Sequence, residues 1–275
     1  MDRPPGGRAL TVPAGLDATI VLLRHGETTA IVEGRFQGQS AVPLSPLGRQ
    51  QADRAAARLA TPHDPPSLPV PVGAPLEIVH SPLVRTTQTA ESVAAAAGAA
   101  YGQPIALRAD EGLREIGQGE WEGRLGSEIA QRWGDVLSAW RLRPTEAHAP
   151  GGEGLVEVRE RVAPALRALL DRLGEGRPPG VPDGPQVLGS AAAPDHPWSI
   201  VVGHDGVFKI VLLTLFELPL ERFWLFPFAL CGITVVDIAG GRPRLRAHNL
   251  TEHLAPVLDE RARDATERRE RAGAL

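Results

Sequence analysis

The 275-residue sequence contains one cysteine, Cys231, which excludes an intramolecular disulfide and any site built from several cysteines. Cys231 stands in the apolar run from Phe226 to Val236 and reads as a small buried hydrophobe. Lysine is equally scarce. Lys209 stands alone among 29 basic residues, so the other 28 are arginines, a skew that reads first as genomic composition. Basic blocks are missing too: Lys+Arg 29 against Asp+Glu 33 gives a formal net charge of −4, and nothing accumulates that would track a phosphate backbone. No nucleic-acid partner is expected. No apolar stretch reaches the length of a membrane span, and Met1 to Ala18 is rich in Pro and Gly without the apolar segment of a secretion signal. The expectation is a soluble, cytoplasmic protein with no membrane partner. What is present, 43% hydrophobic and 23% charged residues, is an ordinary globular mixture with enough material for a sizeable core.

Ala18 to Leu23 is a short run of aliphatic and β-branched residues that leads directly into Arg24-His25-Gly26. Continuous apolarity over so few residues suits a strand buried on both faces, as in a parallel sheet. Leu76 to His80 and Trp198 to Gly203 have the same character. Helical patterns follow each: Pro46 to Leu59 behind Ser45 as N-cap, Pro82 to Ala97 behind Ser81, and Asp205 to Leu218. Gly232 to Ile238 and a weaker segment, Pro104 to Arg108, add two strands. Leu125 to Leu142 and Leu155 to Leu173 read as helices, the second kinked or broken at Pro164. Two tracts rich in Pro, Gly, Ala and Asp, 61–74 and 174–197, read as inserted surface loops without a catalytic part. The expected organisation is a leader (1–17), one α/β domain (18–258) and a charged tail (259–275).

Ligands of such folds gather beyond the carboxyl ends of the strands, so the polar turns at 24–28, 80–85 and 203–206 are expected to converge. The first brings Arg24 and His25 to the sheet edge beside a glycine, and the third brings His204. The second places Arg85 in the first turn of a helix, where a cation is unfavourable unless an anion shares the space. Arg85 is therefore a phosphate or carboxylate candidate.

These blocks, read together, resemble the histidine phosphatase superfamily, the phosphoglycerate mutase-like enzymes. The resemblance runs in order through Arg24-His25-Gly26-Glu27-Thr28, Gly34-Arg35-Phe36-Gln37-Gly38, Pro43 to Ala52, Ser81 to Ala90, Leu113 to Gly123, Gly151-Gly152-Glu153 and Val201-Val202-Gly203-His204. It covers about residues 19–254, and Gly-Glu-Trp-Glu-Gly at 119–123 looks like the phosphatase branch. It implies a three-layer α/β/α sandwich around a mostly parallel, mixed sheet, with a helical lid at about 125–150.

The implied activity is hydrolysis of a small-molecule phosphomonoester without cofactor or metal. His25 would attack phosphorus to give a phosphohistidine that water then cleaves. Arg24, Arg85 and His204 would hold the phosphoryl oxygens, and Glu115 would protonate the leaving oxygen and then deprotonate the water. Thr28, Gln37 and Gly38 are similar in position to residues that touch phosphate or the body of the substrate. Cys231 lacks a phosphate-cradling loop, so covalent chemistry falls to histidine. The alternatives are phosphoryl transfer of the phosphoglycerate mutase type and phosphate binding without catalysis.

Four departures stand out. Ala30-Ile31 replaces the family's common Trp-Asn, removing an amide donor, and Asp205 replaces a common glycine, with the expectation that its carboxylate favours protonated His204. Ala41 and Gly154 replace a frequent aspartate and serine. The aromatic stretch Phe223 to Phe228, if exposed, would seed a homodimer.

Overall fold

The computed structural model describes residues 12–176 and 196–258. Six strands form one sheet: β1 (Ala18–Arg24), β2 (Glu77–His80), β3 (Ala106–Ala109), β4 (Trp198–Gly203), β5 (Ile233–Ala239) and β6 (Arg242–Leu250). Their order is β3-β2-β4-β1-β5-β6. The four strands from β3 to β1 are parallel, while β5 runs antiparallel to both β1 and β6.

The side-chain period of two explains the layers. Ala18, Ile20 and Leu22 face one side of β1 and pack with Val158, Val162 and Leu166 of α5 (Leu155–Glu175) and with α6 (Asp205–Leu215). Val21 and Leu23 face the other, against Ala55, Ala56 and Leu59 of α2 (Pro46–Ala60) and Ala90, Val93 and Ala97 of α3 (Val84–Tyr101). The result is the expected α/β/α sandwich, with small alanines letting α2 and α3 approach the sheet. A short α1 (Thr29–Glu33) and α4 (Gly126–Leu142) complete the helices; α4 departs from helical geometry at Trp133 and buries Ile129, Leu137 and Trp140.

Several expectations are revised. β6 escapes a search for apolar runs because it is rich in arginine, yet the two glycines 240 and 241, both at positive φ, turn β5 back into it. Ser45 caps α2 as expected, its hydroxyl accepting from the Gly48 amide, but α3 starts at Val84 and continues past Gly98 to Tyr101, so Ser81 is not its cap. The helix α5 runs through Pro164 without a break. The tract 61–74 is tied to the core: Leu68 and Val70 are buried, and the Trp198 indole donates to the Gly73 carbonyl at 2.8 Å. Leu16, at the end of the expected leader, is buried as well. Residues 1–11, 177–195 and the tail 259–275 lie outside the described residues.

Candidate active site

Strand register brings the polar turns together. Arg24 pairs with Gly203 across β1 and β4, so the next residues, His25 and His204, emerge side by side with ring centroids 5.2 Å apart at 64°. His80 pairs with Val202 across β2 and β4, which sets Ser81 beside His204, its hydroxyl 2.9 Å from Nε2. Both imidazoles are buried, His25 at 3% and His204 at 0% exposure.

The His25 ring is oriented by its own backbone: Nδ1 lies 2.7 Å from the Gly26 carbonyl. A carbonyl only accepts, so Nδ1 carries the proton and Nε2 keeps a free lone pair. Burial, with help from Arg85 and Arg24, pushes the His25 pKa well below its ordinary value. The imidazole is therefore neutral and nucleophilic at neutral pH.

Arg85 is 1% exposed, at the start of α3, and its two terminal nitrogens donate to Ser40 O at 2.9 Å and Gly38 O at 2.7 Å. Burial lowers its pKa to about 10, against the opposing pull of Glu115 and Glu122, so it remains a cation. Arg24 donates through Nη1 to the Phe228 carbonyl. Arg24 Nε, Arg85 Nε and His204 Nδ1 are buried without a hydrogen-bond partner. Buried polar atoms are rarely left this way, and three such nitrogens around His25 are suited to an oxygen-rich anion.

Glu115 lies against the first turn of α6. Its carboxylate accepts from the amides of Ile116 (2.9 Å), Val207 (3.2 Å) and Gly206 (3.3 Å). A Cβ on Gly206 would sit 2.6 Å from Glu115 Oε1, so only glycine allows this approach. Burial raises the Glu115 pKa, outweighing the Ile116 amide, and nearby Asp205 raises it further against Arg85. An upward shift of a carboxyl pKa is the direction a general acid requires.

The structure thus brings His25, Arg24, Arg85, Glu115 and His204 together. Thr28, Gln37 and Gly38 lie in the adjoining loops. Thr28 is fully buried, caps α1 through the Ile31 amide and donates to Gln37 Oε1 at 2.8 Å, which leaves it bracing the loop. Gly38 contributes its carbonyl to Arg85 at φ 49°, and a Cβ there would lie 2.2 Å from Glu122. The expected contact between Asp205 and His204 is absent. The Asp205 carboxylate pairs with Lys209 Nζ at 2.5 Å, and burial with the surrounding cations drives the His204 pKa well down. Gly152 and Glu153 use their amides within the turn, to Ala149 O and Gly117 O, instead of presenting them to a ligand.

Sequence reasoning missed Ser81 as a partner of His204, Glu122 and, above all, Arg161. From α5, Arg161 donates to the carbonyls of Gly112, Arg114 and Glu115 and forks onto Glu153, whose carboxylate also takes the Gly117 amide at 2.7 Å. This clamp fixes the turn that carries Glu115. A lone arginine within a charged helix gave no signal of it.

Trp140 is buried against Phe223 and Trp224, and the guanidinium groups of Arg124 and Arg132 lie 5.4 and 4.4 Å from the Trp133 ring centroid. Phe223 and Phe228 are buried and Phe226 is half-buried, so the large apolar side chains that this stretch exposes are Trp224 and Leu225. Among the described residues no group of three His, Cys, Asp or Glu side chains is placed to hold a metal ion, and no helix is long and apolar enough to cross a membrane.

The sequence matches the histidine phosphatase superfamily (branch 1) over residues 20–179 and 188–251. Glucosyl-3-phosphoglycerate phosphatase of Mycolicibacterium vanbaalenii is 33% identical over 205 residues, covering 74% of this chain and 76% of the relative. A Salmonella choleraesuis protein named probable phosphoglycerate mutase GpmB is 32% identical over 251 residues, 88% of this chain and 97% of its own. The native structure of mycobacterial glucosyl-3-phosphoglycerate phosphatase superposes with a TM-score of 0.67 at 29% identity, covering 86% of this chain and all of the other.

Proposed function

The chain belongs to the histidine phosphatase superfamily and is a phosphomonoester hydrolase, and we propose that it cleaves a small phosphorylated metabolite through a phosphohistidine at His25. The observation that carries this reading is the His25 ring, held by the Gly26 carbonyl with Nε2 free, neutral, and set among Arg24, Arg85 and His204.

The bound phosphoryl group takes the unpaired nitrogens of Arg24, Arg85 and His204; if the Ser81 hydroxyl donates to His204 Nε2, Nδ1–H becomes a further donor. His25 Nε2 forms the N–P bond as the ester P–O bond breaks, and the Glu115 carboxyl gives its proton to the departing alkoxide. Glu115, now a carboxylate, takes a proton from water as the water oxygen attacks phosphorus, and the N–P bond breaks to return His25 and release phosphate. The guanidinium groups are already in place, so stabilising the equatorial charge requires little reorganisation. The segment 125–150, the expected lid, is proposed to select the leaving group.

The test is rapid quench with a labelled phosphomonoester, followed by recovery of an acid-labile, alkali-stable phosphoenzyme. Label in the wild type and none in His25→Ala is expected. A panel should include glucosyl-3-phosphoglycerate, on which the mycobacterial relative acts by name, and 3-phosphoglycerate. Isomerisation of the latter without phosphate release would establish mutase-type transfer instead, and no labelling or turnover on any ester would leave phosphate binding alone.

A further inference from the structure

Lys209, the chain's single lysine, sits on α6 one turn after Asp205, 5% exposed, with Nζ 2.5 Å from Asp205 Oδ2. The same ammonium lies 5.2 Å and 4.9 Å from the ring centroids of Phe223 and Trp224. Asp205 uses its other oxygen to accept the Phe228 amide at 3.3 Å, and the carbonyl of that same residue, Phe228, accepts Arg24 Nη1. A continuous chain of polar contacts therefore runs from Lys209 through Asp205 and residue 228 to a guanidinium beside His25.

We propose that Asp205 and Lys209 form a positioning pair that aligns Arg24 through the backbone of Phe228 and sets the charge felt by Glu115. The proposal rests on the phosphatase reading above. It explains why a carboxylate next to His204 in sequence makes no contact with it: the side chain is turned toward Lys209 and the 226–232 segment. It also gives the buried lysine a task. A buried ammonium is unfavourable unless paired, and the pair leaves Asp205 partly neutralised next to the acid.

The groups facing Glu115 are Arg85 from α3, Asp205 from α6 and Arg161 from α5, which holds its carbonyl; the His25 and His204 rings stay neutral. The two residues that follow Asp205 on α6, Gly206 and Val207, donate their amides to the Glu115 carboxylate, which sets the Asp205 charge beside it; Asp205 raises the Glu115 pKa and Arg85 lowers it. Removing the Asp205 charge must therefore lower it, and removing the Lys209 charge while Asp205 remains must raise it. A merely structural pair would not produce shifts of opposite sign.

The experiment compares Asp205→Asn, Asp205→Ala and Lys209→Met with the wild type, using the pH dependence of kcat/KM for one alkyl phosphate and the inhibition constant of inorganic phosphate. In Asp205→Asn the amide oxygen still accepts from Phe228, so phosphate inhibition stays near wild type while the alkaline limb moves down by about half a pH unit. In Lys209→Met the limb moves up. In Asp205→Ala the limb moves down and phosphate inhibits about tenfold more weakly, because Arg24 loses its brace. Thermal unfolding of each variant checks the fold, and the two Asp205 variants carry the test if Lys209→Met does not fold. Superimposed limbs, shifts of one sign in Asp205→Asn and Lys209→Met, or unchanged phosphate inhibition in Asp205→Ala would overturn the pair. Absence of wild-type turnover or of a His25 phosphoenzyme would instead overturn the phosphatase reading.

Discussion

Replacing Arg161 by methionine keeps an unbranched stem on α5 but deletes five donor contacts: two to Glu153 and one each to the carbonyls of Gly112, Arg114 and Glu115. Hydrogen bonds to charged groups contribute ~1.5–3 kcal/mol each, and stripping one partner from a buried ion pair costs ~3–5 kcal/mol. The Arg161 and Glu153 side chains are 22% and 25% exposed, and the five contacts act as one unit. The lower end applies: a loss of about 3 kcal/mol, which for a chain of this size lowers Tm by roughly 6–12 °C. The catalytic effect is selective. A released 112–117 turn misplaces the Glu115 carboxyl, and general acid catalysis contributes at least ~10²-fold. Hydrolysis of an alkyl phosphate, whose leaving oxygen needs a proton, should fall about 100-fold, and that of 4-nitrophenyl phosphate less than about 10-fold. Calorimetry and steady-state kinetics on both esters are the assays. A stability loss under about 1 kcal/mol, or equal losses on both esters, would refute the claim that Arg161 works through Glu115.

Three further outcomes follow from the same structure. Burial alone would raise the Glu153 carboxyl, but the bonds from Arg161, the Gly117 amide and Gln39 hold it below its ordinary 4.5. Its stabilisation is thus present above that pH and lost as pH falls through the lowered pKa, so the Tm gap between wild type and Arg161→Met should narrow below about pH 4.5; a constant gap would contradict the pairing. His25 and His204 stay neutral well below pH 6.5, so NMR titration should show neither imidazole protonating between pH 8 and 6.5, while stability declines as pH falls below 6.5 because the unfolded histidines take up protons; a midpoint near 6.5 for either ring would count against the buried geometry. Ile31→Asn, which restores an amide donor at the end of the first turn of α1, should tighten inhibition by inorganic phosphate about fivefold, a single hydrogen bond's worth, and an unchanged constant would show that position 31 does not face the anion.

The strands that deliver the site were legible because they are buried on both faces and leave continuous apolar runs: Ala18 to Leu23 and Trp198 to Gly203 read as strands without ambiguity, and their register set His25 beside His204. What the sequence concealed was of two kinds. β6 has one sparsely covered face and carries Arg242, Arg244 and Arg246 along its length, so its apolar signal is weak and its pairing comes from main-chain bonds to β5. Directional polar contacts were the other kind. Ser81 precedes a proline and a helix and so imitates a cap, but the parallel pairing of β2 with β4 turns it toward His204. Asp205 follows His204, yet the start of α6 points it one turn ahead to Lys209. Adjacency along the chain says little about which way a side chain faces, and Arg161, 46 residues from Glu115, shows the converse.

Both cationic residues of the site are steadied by the main chain: Arg85 by the carbonyls of Gly38 and Ser40, Arg24 by that of Phe228. Every residue type supplies the same carbonyl. The side chains at positions 40 and 228 have separate partners: the Ser40 hydroxyl donates to Glu122, and the Phe228 ring packs on Phe208 and His248. Under the mechanism proposed above, substitutions around the leaving group would alter which alcohol is accepted and leave both main-chain anchors in place.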